Sequence, residues 1–177
     1  SDDPENGVDL TSIQGDVSLI ITATDAIGNS ATETNSSFVI DTISPLGVSF
    51  SYTDELNQTH AVSENETVLF SQSSVTLNLF SENQSDVLLY DEINGVSSPL
   101  VDIQNSTGSE VLNLTLSEGT HLLTARQIDL AGNLSPSTSI QLVIDKTPPV
   151  IADLPTETTY QSFGDFDVSF TVSDTNF

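Results

Sequence analysis

Apolar side chains recur at every second position through several short stretches of this chain. Val48, Phe50 and Tyr52 alternate with serines, Val75, Leu77 and Leu79 with Thr76 and Asn78, and Leu112, Leu114 and Leu116 with Asn113 and Thr115. A period of two sends neighbouring side chains to opposite faces, as in a strand with one face on a core and the other in water. Residues 87–90 form a short continuous apolar run, and residues 122–128 and 140–144 complete the set. Gly, Asn, Ser and Pro punctuate these stretches at a spacing of roughly ten residues, which predicts a β-sandwich. No long segment carries the helical period, so the expected fold class is all-β.

The chain also repeats itself. Thr24-Asp25-Ala26-Ile27-Gly28-Asn29-Ser30 returns as Ile128-Asp129-Leu130-Ala131-Gly132-Asn133-Leu134, and residues 38–45 return at 142–149; 104 residues separate Asp25 from Asp129, Asp41 from Asp145 and Gly15 from Gly119. Three matches at one spacing indicate a tandem array. Residues 46–145 hold one whole unit, and the linker after it brings the domain to 46–147. Residues 1–45 match only its second half. Residues 148–177 match only its beginning, Val168-Ser169-Phe170-Thr171-Val172 corresponding to Val75-Thr76-Leu77-Asn78-Leu79. The expectation is a window on a longer array, with a partial domain at each end. A half sandwich leaves a core face uncovered, so the ends are expected to be disordered or completed by neighbouring chains.

Composition narrows the chemistry. Among 177 residues there are 26 acidic side chains and only two basic ones, Arg126 and Lys146, for a formal charge of −24. Phosphate backbones and anionic lipid surfaces attract Lys and Arg, so neither nucleic acid nor a membrane is an expected partner. No apolar run is long enough to span a bilayer. With no cysteine there is no disulfide, thiolate nucleophile or zinc–thiolate site. The 26 serines and 21 threonines, set among Val, Ile and Leu, favour strands and turns.

The Asp-x-x-Gly-Asn motif falls between the last two predicted strands, where a hairpin needs positive φ. Gly132 and Asn133 are expected to supply it, with the Asp129 carboxylate accepting turn N–H bonds. The following Asp145-Lys146-Thr147-Pro148-Pro149 reads as a stiff linker, because proline ends the ladder and restricts its neighbour. At these residues the chain resembles the bacterial Ig-like domains of large tandem-repeat surface proteins, in which an Asp-x-Ala-Gly-Asn turn precedes an Asp-Thr-x-Pro linker. The first unit departs slightly, with Ile27 in place of Ala and Asp41-Thr42-Ile43-Ser44-Pro45 as its linker. The resemblance implies a rigid extracellular stalk at the cell surface, of adhesin type, whose partners are neighbouring repeats. It also implies Ca²⁺ at the domain junctions, with Asp25, Asn29 and Asp41 at one and Asp129, Asn133 and Asp145 at the other. Glu82 or Asp174 would be added from the loop of the next domain. Oxygen donors of this kind suit calcium, although no EF-hand loop is present.

Other candidates are weaker. Seven asparagines stand in Asn-x-Ser/Thr triplets: Asn35, Asn57, Asn65, Asn83, Asn105, Asn113 and Asn133. They mark glycan acceptors only in the right cellular setting. His60 and His121 are the only histidines, and no Gly-x-Ser-x-Gly elbow flags a nucleophile, so the chain reads as non-catalytic. Arg126 and Lys146 are expected to pair with nearby acids. Tyr52, Tyr90 and Tyr160 suit either strand packing or a sugar platform. Two alternatives follow: a subunit of a self-assembling surface layer or filament, and a carbohydrate-binding module of a secreted enzyme.

Overall fold

A computed structural model describes residues 13–54, 56–63, 66–154, 164 and 168–174, with the backbone alone at 35–38. The described residues form strands, turns and irregular segments, with no helix among them. A first antiparallel ribbon pairs β1 (Gly15–Thr24) with β2 (Ser30–Ile40). The central unit then builds two sheets. One has the order β4-β3-β6-β9, from β3 (Ser49–Thr53), β4 (Thr59–Ala61), β6 (Ser74–Phe80) and β9 (Ser109–Thr115). The other has the order β5-β11-β10-β7-β8, from β5 (Thr67–Phe70), β7 (Asp86–Ile93), β8 (Val96–Ile103), β10 (Gly119–Ile128) and β11 (Thr138–Ile144). A last ribbon pairs β12 (Val150–Ala152) with β13 (Thr171–Ser173).

The alternation seen in sequence becomes burial. Val75, Leu77 and Leu79 of β6, Phe50 of β3 and Leu112 and Leu114 of β9 point inward, and so do Leu123 and Ala125 of β10 with Ile140, Leu142 and Ile144 of β11. All belong to one core cluster shared by both sheets, the arrangement of a β-sandwich. Burying a Leu- or Ile-sized side chain contributes about 1.5–3 kcal/mol, so this shared face is the main stabilising term of the central unit.

Three strands carried no clear sequence pattern, each for a physical reason. β4 and β8 are edge strands, and β4 has only three residues. β8 contains Pro99, which an edge tolerates because no ladder partner needs its missing N–H. β5 has four residues and pairs in parallel with β11, a contact that depends on sequence-distant neighbours.

One polar pair sits in the core. His121 of β10 is 1% exposed, and its Nδ1 lies 2.8 Å from Oδ2 of buried Asp91 on β7. Its Nε2 lies 3.1 Å from the Ser117 carbonyl oxygen and 3.3 Å from Ser117 Oγ. Asp91 Oδ1 is buried with no hydrogen-bond partner among the described residues. The pair shares charge and proton, and removing one member strands the other in a dry interior. His121→Ala should therefore cost about 3–5 kcal/mol, whereas Asp91→Leu combined with His121→Leu should recover most of that loss. Urea unfolding of the two variants checks this, and equal losses in both would refute the pairing argument.

Candidate functional site at the inter-unit linker

The Asp-x-x-Gly-Asn motif closes on itself. In the turn between β1 and β2, Asp25 Oδ1 accepts from the N–H groups of Ile27 (3.0 Å) and Asn29 (2.8 Å), and Oδ2 accepts from Asn29 Nδ2 (2.7 Å). Between β10 and β11, Asp129 does the same with Ala131 (2.9 Å), Asn133 N (2.8 Å) and Asn133 Nδ2 (2.9 Å). Gly28 and Gly132 hold φ of 95° and 92°, the conformation only glycine adopts cheaply. Asn133 does not share the positive φ expected of it; its side chain, rather than its backbone, completes the turn.

A third copy of this turn was hidden in the sequence. Asp54 Oδ1 accepts from Leu56 N (2.9 Å) and Gln58 N (2.8 Å), and Asn57 occupies the glycine position with φ of 58°. Here Oδ2 meets His60 Nε2 at 2.8 Å instead of an Asn amide. Asn replaces Gly and Gln replaces Asn, so no string match shows the kinship. Turn closure therefore accounts for the motif wherever it occurs.

These bonds set the acidity of the three carboxylates. The Asn29 side chain and backbone hold Asp25 below its ordinary value. The Gln58 N–H and then His60 do so for Asp54. For Asp129, desolvation pushes upward, but the bonds from Asn133 and Ala131 outweigh it and the net direction is down.

The residues around the linker 41–46 form the most organised polar site. Gln127 of β10 is buried, and its carboxamide satisfies three groups at once: Nε2 donates to the Leu46 carbonyl (2.7 Å), and Oε1 accepts from Glu82 N (2.7 Å) and Ser85 Oγ (2.9 Å). Asn133 Nδ2 also donates to the Asp41 carbonyl (3.1 Å), and Leu46 N approaches Glu82 Oε1 at 3.4 Å. Pro45 is buried between these contacts. The upstream end of the linker is held too, because Gln14 donates to Asp41 Oδ1 (2.7 Å) and accepts from Thr42 N (2.9 Å). Glu118, 104 residues after Gln14, accepts from Thr147 Oγ1 at the second linker. Gln127 escaped the sequence reading because Ala23 occupies its repeat position.

The topology regroups the expected calcium ligands. A hairpin turn and the far end of its second strand lie at opposite poles. Asp25 and Asn29 are thus separated from Asp41 by the 11 residues of β2, about 36 Å of strand. Asp129 and Asn133 are separated from Asp145 by β11 in the same way. Across the linker, the Asp41 carbonyl of one unit meets the Asn133 amide of the next, and Leu46 N meets Glu82 Oε1. Asp145 stands at the other pole with its Oδ1 accepting from Thr147 N (3.0 Å), and Asp174 follows β13. Among the described residues no three His, Asp or Glu side chains converge to hold a metal ion. The Asp25 and Asp129 carboxylates accept turn hydrogen bonds from N–H donors.

Two further arrangements have definite chemistry. Ser117 Oγ, His121 and Asp91 fall in nucleophile, base and acid order, with Ser117 Oγ 3.3 Å from Nε2. The imidazole is 1% exposed and its carboxylate partner is buried, so the set forms a buried polar contact between β7 and β10. Tyr52 borders a hollow of about 530 Å³ with Leu56, Phe70 and Asp145. Its ring stacks on His60 (5.0 Å) and meets the edge of Phe70 (5.5 Å), so it is committed to packing. Tyr160 and Asn65 lie outside the described residues. Arg126 and Lys146 form no ion pair with a described residue, since the pairs found are His60–Asp54 and His121–Asp91.

No protein-family model matches the chain, and no curated protein matches it.

The lowered acidity of the turn aspartates makes stability depend on pH in a definite direction. The folded state holds its protons less tightly than the unfolded chain, so the contribution is present above the ordinary Asp value of 3.8 and is lost as pH falls below it. Asp129→Asn should flatten this acid limb, and urea titrations between neutral and acid pH will show it. An unchanged slope would mean that the turn bonds are not coupled to folding. Asn57→Gly should raise stability at neutral pH by up to about 1 kcal/mol, since it relieves a left-handed backbone at no packing cost.

Proposed function

We propose that the chain is a non-catalytic structural repeat of a large extracellular surface protein, in which tandem Ig-like sandwiches form a rigid stalk. The observation that carries the reading is the linker. Its backbone carbonyls at Asp41 and Leu46 are taken up by Asn133 and Gln127 of the following unit, and its proline is buried. A flexible tether would leave those groups to water. Here they are bonded on the surface of the next sandwich, so bending the joint costs hydrogen bonds and burial. The 104-residue repeat supports an array of such joints, and the motif pair supports the resemblance to bacterial Ig-like repeats of adhesin type. The acidic surface keeps neighbouring stalks apart at low ionic strength.

Stiffening in this reading rests on the linker's own bonds. Calcium, implied by the resemblance, would be an increment drawn to Asp41, Glu82 and Asp129 beside the linker. Because the protein has no cysteine, Thr32→Cys in β2 and Thr115→Cys in β9 allow spin labels to be placed at two chosen sites. The distance distribution between them should be narrow, and Gln127→Ala should broaden it. Unchanged width in that variant would sink the linker mechanism. Narrowing on adding Ca²⁺, reversed by EDTA, would support a junction ion, whereas indifference to both removes calcium from the proposal.

A further inference from the structure

On the outer face of the five-stranded sheet, Arg126 stands without the acidic partner expected of it. It is exposed and makes no ion pair or side-chain hydrogen bond with a described residue. The acids nearest to it in register are engaged elsewhere: Asp86 accepts from Asn105 N (2.8 Å) and Asp102 from Gln104 Nε2 (2.6 Å). The strand does not require arginine at this position, since Thr22 occupies it 104 residues earlier. On the same face Tyr90 is 39% exposed, in contrast to Tyr52, whose ring is stacked on His60. Arg126 and Tyr90 border one hollow of about 480 Å³, with Leu88 and Leu134 as apolar lining and Glu92 and Ser97 as further polar groups. That volume falls within the range of small-molecule sites. Every residue lining it belongs to the complete central unit.

The register sets the layout of the hollow. Arg126 stands opposite Leu88, and Thr124 opposite Tyr90, so Arg126 and Tyr90 are diagonal neighbours about 7–8 Å apart. Along β7 the row from Leu88 to Glu92 covers about 13 Å, and Glu92 is paired with Ser97 of β8. We propose that this hollow binds an acidic saccharide through a uronic acid unit. The guanidinium takes the carboxylate in two parallel N–H···O bonds. The C–H face of a pyranose ring lies on the electron-rich face of Tyr90, and Glu92 accepts from hydroxyls at the other end. An extended peptide suits this face less, because β7 is paired on both sides and offers no free ladder for a peptide's N–H and C=O groups. A charge of −24 opposes a long polyanion, but at physiological ionic strength charges beyond about 8 Å are screened, so the guanidinium decides the fate of a single carboxylate. The site is separate from the linker, and its failure would leave the stalk reading untouched.

The test is an NMR titration of the 177-residue chain with digalacturonate at physiological ionic strength, in EDTA so that no metal ion bridges carboxylates. Saturable shifts should centre on the backbone amides of Tyr90 and Arg126 and on Arg126 Nε–H. Arg126→Ala should weaken binding about tenfold or more, the size of a hydrogen bond to a charged group, and Arg126→Lys should recover only part of it, because an ammonium lacks the planar fork. Tyr90→Ala should weaken binding several-fold, whereas Tyr90→Phe, which keeps the ring, should bind like the wild type. Digalactose, the neutral counterpart, should bind about tenfold less tightly. Arg126 and Tyr90 both face solvent, so the urea midpoints of these variants should match the wild type, which separates lost binding from lost folding. Lys146→Ala, which removes the other cation, should leave binding unchanged. Absence of saturable shifts overturns the proposal, as does equal binding of digalactose or an Arg126→Ala variant that binds like the wild type. Equal losses in Lys146→Ala and Arg126→Ala would mean attraction to any cation, and overturn it as well.

Discussion

A sheet with one apolar face needs a second apolar face to cover it, and most of this protein follows from how that need is met. In the central unit the four-stranded and five-stranded sheets cover each other, and Leu77, Leu79, Leu123 and Leu142 lose all contact with water. In the first ribbon Leu19 and Ile21, at the repeat positions of Leu123 and Ala125, stay exposed. Burial here is therefore a property of the partner sheet and not of the strand itself.

Polar groups inside the fold divide by what they do. Gln127 meets the hydrogen-bonding needs of the linker, a loop and a serine with a neutral amide, so nothing charged is desolvated. It fixes the position of the linker on the sandwich. The Asp91–His121 pair carries a charge cost instead, and one carboxylate oxygen remains unpartnered. Such a pair gains specificity, by bringing β7 and β10 into one register, more than it gains stability.

The aspartate turns show how a motif with a functional resemblance can have a complete local explanation. Three hairpin-like turns use one carboxylate to gather the N–H groups of a five-residue loop, at Asp25, Asp54 and Asp129. What distinguishes the Asp129 turn is its neighbour. The Asn133 amide has a second proton, and it reaches the backbone of the preceding unit's linker. The same side chain thus closes a turn and joins two units.

Alternation and punctuation were enough to place the all-β class, the six principal strands of the central unit and its core residues, because periodicity of two and burial of one face are the same physical fact. The repeat also located the turn and the linker, since both recur at one spacing. The sequence did not show β5 or β8, whose pairing is decided by distant neighbours. It did not single out Gln127, whose repeat counterpart is Ala23, or Asp54, whose turn keeps the geometry with different letters. The resemblance grouped Asp25 with Asp41 and Asp129 with Asp145. Only the fold shows that a strand of seven or 11 residues carries its two ends to opposite poles, so that Asp41 meets the turn of the following unit.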